Sequence, residues 1–263
     1  MDVDEIRRWD ARAVEASRGV VSRVTRGDLQ RPTPCAQWNL GQLLAHMTVQ
    51  HRGFAAAAAG SGPDLANWQP RVSTNPVAAY VSAADAVVEA FARGGVGERR
   101  FWLPEISTEF PFPAATAIGF HFLDYAVHSW DVARSIGLDF APESDVVAAV
   151  LPIARLVPDG SDRLRDGAAF APGVPAEGNA ADFGAVLSLL GRSQGWRPAY
   201  APGRVLRRDA GLLPRPSAPV GVGRLRRLSD ESLELDGAWR SERSSTHQGR
   251  GSRGQGQGRP SDL

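Results

Sequence analysis

The stretch "FHFLDYAVHSWDVARSIG", residues 120–137, decides how the rest of the chain is read. At about 100° per residue, His121, Asp124 and His128 fall within about 60° of one another on a helix. Phe120, Leu123, Val127 and Trp130 surround them, so this helix is expected to be substantially buried. A buried imidazole or carboxylate needs a partner, because an unpaired buried charge is costly. Three readings fit: a metal site, an acid/base dyad, or a polar stripe on a solvated face. Asp124 and His128, at i and i+4, have the spacing that lets two side chains reach one ion.

Working outward, Pro113 is expected to open this helix, and Gly137 suits the C′ position beyond its end. Upstream, Ile6, Trp9, Val14, Val21 and Val24 recur at helical spacing over residues 4–26, and Gly27-Asp28 ends the run. "LQRPTPCAQW", residues 29–38, reads as a Pro-punctuated loop. Asn39 then serves as N-cap for a helix from Leu40 to about Ala59, with Leu40, Leu43, Leu44, Met47 and Phe54 on its apolar face. Pro76 opens a third helix running to about Arg93. Residues 96–112, "VGERRFWLPEISTEFPF", hold short β-like pieces broken by prolines and predict a small hairpin or irregular crossover.

Beyond Gly137 the spacing predicts a helix from about Ser144 to Leu156, interrupted by Pro152, and then a Gly/Pro-rich loop over 159–181. "ADFGAVLSLLGR", residues 181–192, reads as a short apolar helix closing the core. The pattern is all-α: a four-helix bundle with a long crossover connection between the third and fourth long helices and a small β-like insert. Residues 1–200 read as one helical domain. Residues 201–263, rich in Arg, Gly and Pro, read as a disordered tail.

Composition narrows the function classes. The net charge of +1 over 263 residues gives no global attraction to nucleic acid or anionic membrane. There is no lysine, so all the basic charge is arginine, as codon bias in a GC-rich genome would leave it. The "GRGSRGQGQGR" end has the character of RG-rich segments that touch RNA. One such segment beside a nearly neutral domain leaves nucleic acid an unexpected partner. The single cysteine, Cys35, excludes an internal disulfide framework and a Cys-rich metal cluster. The charged N-terminus lacks an apolar export core, and no apolar run approaches the ~20 residues of a membrane span. A cytoplasmic protein without a membrane partner is expected.

A second clue lies in "GQLLAHMTVQH", residues 41–51, where His46 sits amid Leu43, Leu44 and Met47 on a core-facing stripe. Alone it reads as a hydrogen-bonded core histidine. Two buried helices that both offer His or Asp inward read differently, since bundles build metal sites from facing helices. Two imidazoles and a carboxylate suit zinc with an open fourth position, and nickel or iron(II) would also accept them. His121 is either a fourth ligand or proton shuttle, or a polar residue hydrogen-bonded near the bundle mouth. His51 lies about 140° around the helix from His46 and is expected to point elsewhere. Asp131 either orients the His128 imidazole or pairs with Arg134 at i+3. Cys35 reads as a small buried side chain, and Trp38 and Trp130 as bundle core.

Two of these segments together, "DLQRPTPCAQWNLGQLLAHM" (28–47) and "FLDYAVHSWDVARSIG" (122–137), resemble the DinB-like metal-binding superfamily. More narrowly they resemble actinobacterial relatives of the N-terminal domain of mycothiol-dependent maleylpyruvate isomerase. The elements P-T-P-C-x-x-W and D-x-x-x-H-x-W-D carry the resemblance, which covers roughly residues 5–198. It implies a four-helix bundle holding a divalent metal, usually taken as zinc, by His46, Asp124 and His128. The isomerase has Glu at the middle position, where this chain has the shorter Asp124. It also has a C-terminal α/β domain, which residues 201–263 do not resemble. The implied cofactors are the metal and mycothiol, and the implied partner is a small electrophile attacked by a metal-activated thiolate. That is isomerase or thiol transferase chemistry. The alternative is a non-catalytic metal-binding module whose ion is structural or sensory.

Overall fold

The computed structural model describes residues 1–36, 38–165, 168–176, 178–179 and 181–198. Four long helices dominate it: α1 (Val3–Val21), α2 (Leu40–Ala58), α3 (Pro76–Ala92) and α4 (Ala114–Ser135). Side-chain caps define three of their starts. Asp2 accepts from the Glu5 amide, and Asn75 from the Ala78 amide just ahead of Pro76. Asn39 and Gln42 form a reciprocal capping box at α2, each accepting from the other's amide at 2.9 Å. Gly137, at φ 77°, follows the end of α4 in the left-handed conformation that suits its C′ position.

The first helix ends sooner than its apolar periodicity predicts. Thr25 adopts an extended backbone, and the Asp28 carboxylate accepts from its amide and its hydroxyl at 2.9 and 2.6 Å. Those local bonds compete with continued helix and fold Arg26–Asp28 into a 3-10 turn instead.

Helix α1 packs on α4 and α3, and α2 packs on α3 and α4. The helices α1 and α2 are therefore diagonal, and residues 22–39 cross the bundle just as residues 93–113 do. The expected long connection between α3 and α4 is present, and the segment between α1 and α2 adds a second. The α3–α4 connection carries the expected insert, an antiparallel pair of β1 (Arg100–Phe101) and β2 (Phe112–Pro113). Two further helices, α5 (Ser144–Leu156) and α6 (Phe183–Leu189), pack on each other, and α5 leans on α4 and α1. Helix α5 runs through Pro152 without the expected interruption.

Enclosure on several sides leaves only Ala115, Phe120 and Asp124 of α4 less than fully buried. A helix so covered must be apolar all round or have its polar groups paired. No described helix is long and apolar enough to cross a membrane. The expected tail, residues 201–263, lies outside the described residues.

Candidate metal centre

The capping box at Asn39 fixes where α2 begins and so places His46 two turns in, facing α4. From α4, Asp124 and His128 meet it one turn apart. His128 Nε2 lies 3.2 Å from Asp124 Oδ1, and the His46 and His128 rings approach edge-on at 5.5 Å between centroids. One donor atom from each of the three residues lies within 4.8 Å of the others. Trp38, from the crossover before α2, covers His46 with ring centroids 4.5 Å apart. It is a wall of the site as well as bundle core.

Charge is distributed here in the way a cation would need. Burial lowers the His46 pKa to about 4, against an upward pull from Asp124 and with a further push down from His128. His46 is therefore neutral near pH 7, with a lone pair to give. Burial would raise Asp124, but the charge and hydrogen bond of His128, with His46 and His121, take it down to about 2. Burial would likewise lower His128, yet Asp124 and Asp131 on its two nitrogens raise it well above the ordinary value. The proton on His128 Nε2 occupies the place where an ion would bind, so a metal would displace it.

Behind His128, its Nδ1 meets Asp131 Oδ2 at 2.9 Å. The same oxygen accepts from Cys35 Sγ and from Arg192 at 3.1 Å each, and Arg192 reaches Cys35 Sγ at 3.0 Å. Of the two sequence readings of Asp131, the structure thus has it orient the imidazole. Arg134 pairs instead with Asp139 and with the carbonyls of Gln194 and Trp196. Cys35 is not the apolar filler expected, because the crossover delivers it into this charged cluster. A second donor set, Cys35, His128 and Asp131, is also closely spaced. The Arg192 guanidinium already sits on two of its three donors, so a cation is in place there.

His121 is not part of the triad. Its Nδ1 faces Asp10 Oδ1 at 2.6 Å and its Nε2 faces His51 Nδ1 at 3.0 Å, leaving no nitrogen for a fourth ligand. His51 does point away from His46, but it is fully buried and belongs to this second cluster.

Sequence reasoning missed three further residues. Gln50, one turn beyond His46 on α2, donates to the Glu105 carboxylate of the insert. Burial and then Asp124 raise the Glu105 pKa, while Gln50 holds it down. The i+4 spacing from His46 was a usable signal for Gln50. Arg192, 61 residues beyond Asp131, had none.

Residues 11–133 match the family described as mycothiol maleylpyruvate isomerase N-terminal domain. The resemblance read in the sequence is shown over that stretch, which contains His46, Asp124 and His128 but not α5 or α6. Two curated relatives come from Mycobacterium tuberculosis: uncharacterized protein Rv0738 of strain H37Rv and uncharacterized protein MT0763 of strain CDC 1551. Each is 26% identical over 150 residues, covering 55% of this chain and 74% of the relative. No solved structure gives a significant match.

Proposed function

We propose that the chain is a mycothiol-dependent metalloenzyme in which His46, Asp124 and His128 hold one divalent ion, zinc by preference. The observation that carries this reading is the pairing around His128: its Nε2 joins the triad while Asp131 holds its Nδ1. Carboxylate–histidine pairs of this kind fix a metal-binding tautomer and strengthen the donor. The donor set of two nitrogens and one carboxylate suits zinc in a site that keeps an open position. In that position zinc would act as a Lewis acid and favour the deprotonated form of a bound thiol or water.

The chain's own residues do the rest. His46 enters neutral and Asp124 enters charged, so the open face carries one negative charge, which offsets half the charge of a divalent ion. Trp38 walls the site beside His46. Gln50 and Glu105 form a polar pair one turn along α2, within electrostatic reach of Asp124. The family match supports a thiol partner, and a small electrophile is proposed beside it. The reaction class is isomerase or thiol transferase, and residues 1–200 are the functional unit. Because His121 is already occupied on both nitrogens, a closed four-ligand structural site finds no support in the donor set.

The test is metal content per chain in protein purified without chelators or a His tag, beside His46→Ala and His128→Ala. About one zinc per chain in wild type, lost in both variants, is expected, followed by thiol-dependent turnover in a screen of electrophiles. No stoichiometric metal in well-folded wild type overturns the reading.

A further inference from the structure

Helix α6 and the turn after it lie beyond the family match and supply none of the three donors, yet they reach the back of the triad. Leu190-Gly191-Arg192 makes this possible. Gly191 takes φ 75°, and a Cβ there would lie 2.6 Å from the Ala171 carbonyl oxygen. The Arg192 amide then bonds back to the Leu187 carbonyl at 2.9 Å, and the side chain turns inward. The guanidinium ends 5% exposed, with Leu190 O, Cys35 Sγ and Asp131 Oδ2 as partners at 2.8, 3.0 and 3.1 Å. Phe170 lies across it at 5.6 Å from the ring centroid.

A buried guanidinium is costly unless its partners are well placed, so its position here is over-determined by them. Asp131 is the pivot. Its Oδ2 accepts from His128, Arg192 and Cys35, while its Oδ1 has no partner among the described residues. One oxygen holds every bond, and the carboxylate's rotation about its axis is set by the donors on that oxygen. Without Arg192, the carboxylate loses a permanent cation and a main constraint on that rotation.

The geometry points to Arg192 as a positioning residue for the metal centre: it holds Asp131 so that His128 presents Nε2 to the ion. This rests on the proposed metal-binding function and adds to it. The segment after residue 133 contributes to metal affinity without donating a ligand. Removing such outer partners of a ligand typically weakens metal binding about 10–100-fold.

The experiment measures zinc affinity by competition with a chromophoric chelator, and the cobalt(II) absorption spectrum, in full-length protein. The variants are Arg192→Met, Arg192→Lys, Asp131→Asn and the double Arg192→Met/Asp131→Asn, with metal-free melting recorded for each. Asp131→Asn is expected to weaken zinc about 10–100-fold, and Arg192→Met measurably but by no more than that. The double variant should bind no more weakly than the worse single one, because both act through the same carboxylate. Arg192→Lys keeps the charge but cannot span all three partners, so its cobalt bands should shift. A purely structural role would lower the melting temperature and leave the spectrum and affinity alone.

Zinc affinity unchanged in folded Arg192→Met, or additive losses in the double variant, overturns the inference. Should Arg192→Met not fold, an unshifted cobalt spectrum in Arg192→Lys overturns it. A wild type that binds no metal overturns the proposed function and this inference together, whereas wild-type binding with indifferent Arg192 variants overturns this inference alone.

Discussion

Two polar clusters share the interior of one bundle, built from the same residue types on the same two helices. Near one level His46 of α2 meets Asp124 and His128 of α4. Near the other His51 of α2 meets His121 of α4, and α1 adds Asp10. The second cluster is closed: Asp10, His121 and His51 are each at most 1% exposed and linked in a chain. His51 also stacks on Tyr125 at 3.9 Å. The first is open, with the Asp124 side chain 24% exposed and both donor histidines turned toward it. At the closed level α1 supplies a carboxylate that engages His121 Nδ1, while His121 Nε2 is taken up by His51. At the open level a loop supplies Trp38 and Cys35 and leaves a donor face free. Whether a buried histidine becomes a ligand is decided by what faces it, not by its own spacing.

The largest expected effect tests that contrast directly. His46→Ala should abolish stoichiometric zinc while changing the stability of the metal-free protein little. His121→Ala should do the reverse. It keeps the metal but strands Asp10, at a cost of about 3–5 kcal/mol in urea unfolding. Zinc loss in His121→Ala with an intact fold would merge the two clusters into one and break the comparison.

The buried histidines should also respond oppositely to pH, His46 and His51 in one direction and His128 in the other. Burial keeps His51 well below the ordinary value and His46 at about 4, so the unfolded chain takes up more protons than the native one below about pH 6.5. Stability of the metal-free protein is lost as pH falls from there. His128 is raised, so its contribution is present below about pH 6.5 and is lost as pH rises through its folded value. The metal-free protein is therefore expected to be most stable near about pH 6.5. His51→Gln should flatten the acid limb and His128→Gln the alkaline one, measured as urea midpoints. A limb unchanged by its variant would show that the assigned histidine does not govern it.

Smaller effects sharpen the open cluster. Asp124→Glu, which restores the side chain the resemblance assigns to that position, should hold zinc within about tenfold of wild type, about 1.4 kcal/mol. Loss of binding would mean that the shorter carboxylate is required by this helix spacing. Trp38→Leu removes the ring over His46 and should cost no more than about 0.5–1.5 kcal/mol of zinc affinity. A larger loss in chelator competition would make Trp38 part of the ligand support rather than a wall.

Much of this was legible from local signals. Asn39 announced the start of α2, Pro76 that of α3, and Gly137 the end of α4. The i, i+4 pair Asp124 and His128 was visible as a pair of donors. Periodicity assigns a residue to a face but does not say what stands across from it. Asp10 and His121 are 111 residues apart, and Cys35 and Arg192 are 157 apart, so neither pairing leaves a local trace. His121 and His128 share a stripe in the sequence, which left His121 open between a fourth ligand and a hydrogen-bonded polar residue. They diverge because α1 carries an aspartate opposite one and not opposite the other. Arg192 looked like the polar end of a short helix, and only the left-handed Gly191 shows that its side chain turns inward.

The near-complete cover of α4, broken around Phe120 and Asp124, has a kinetic consequence. If the chain functions as proposed, metal and thiol would both approach through this break among the described residues. A thiol seated over Asp124 would then obstruct the path by which the ion leaves, which would couple occupancy to retention. Exchange of bound zinc with isotopically labelled zinc should slow as the thiol saturates the protein, and equal exchange rates with and without thiol would mean a second route exists. A cell rich in that thiol would keep this protein loaded through the closing of a door rather than through tighter binding.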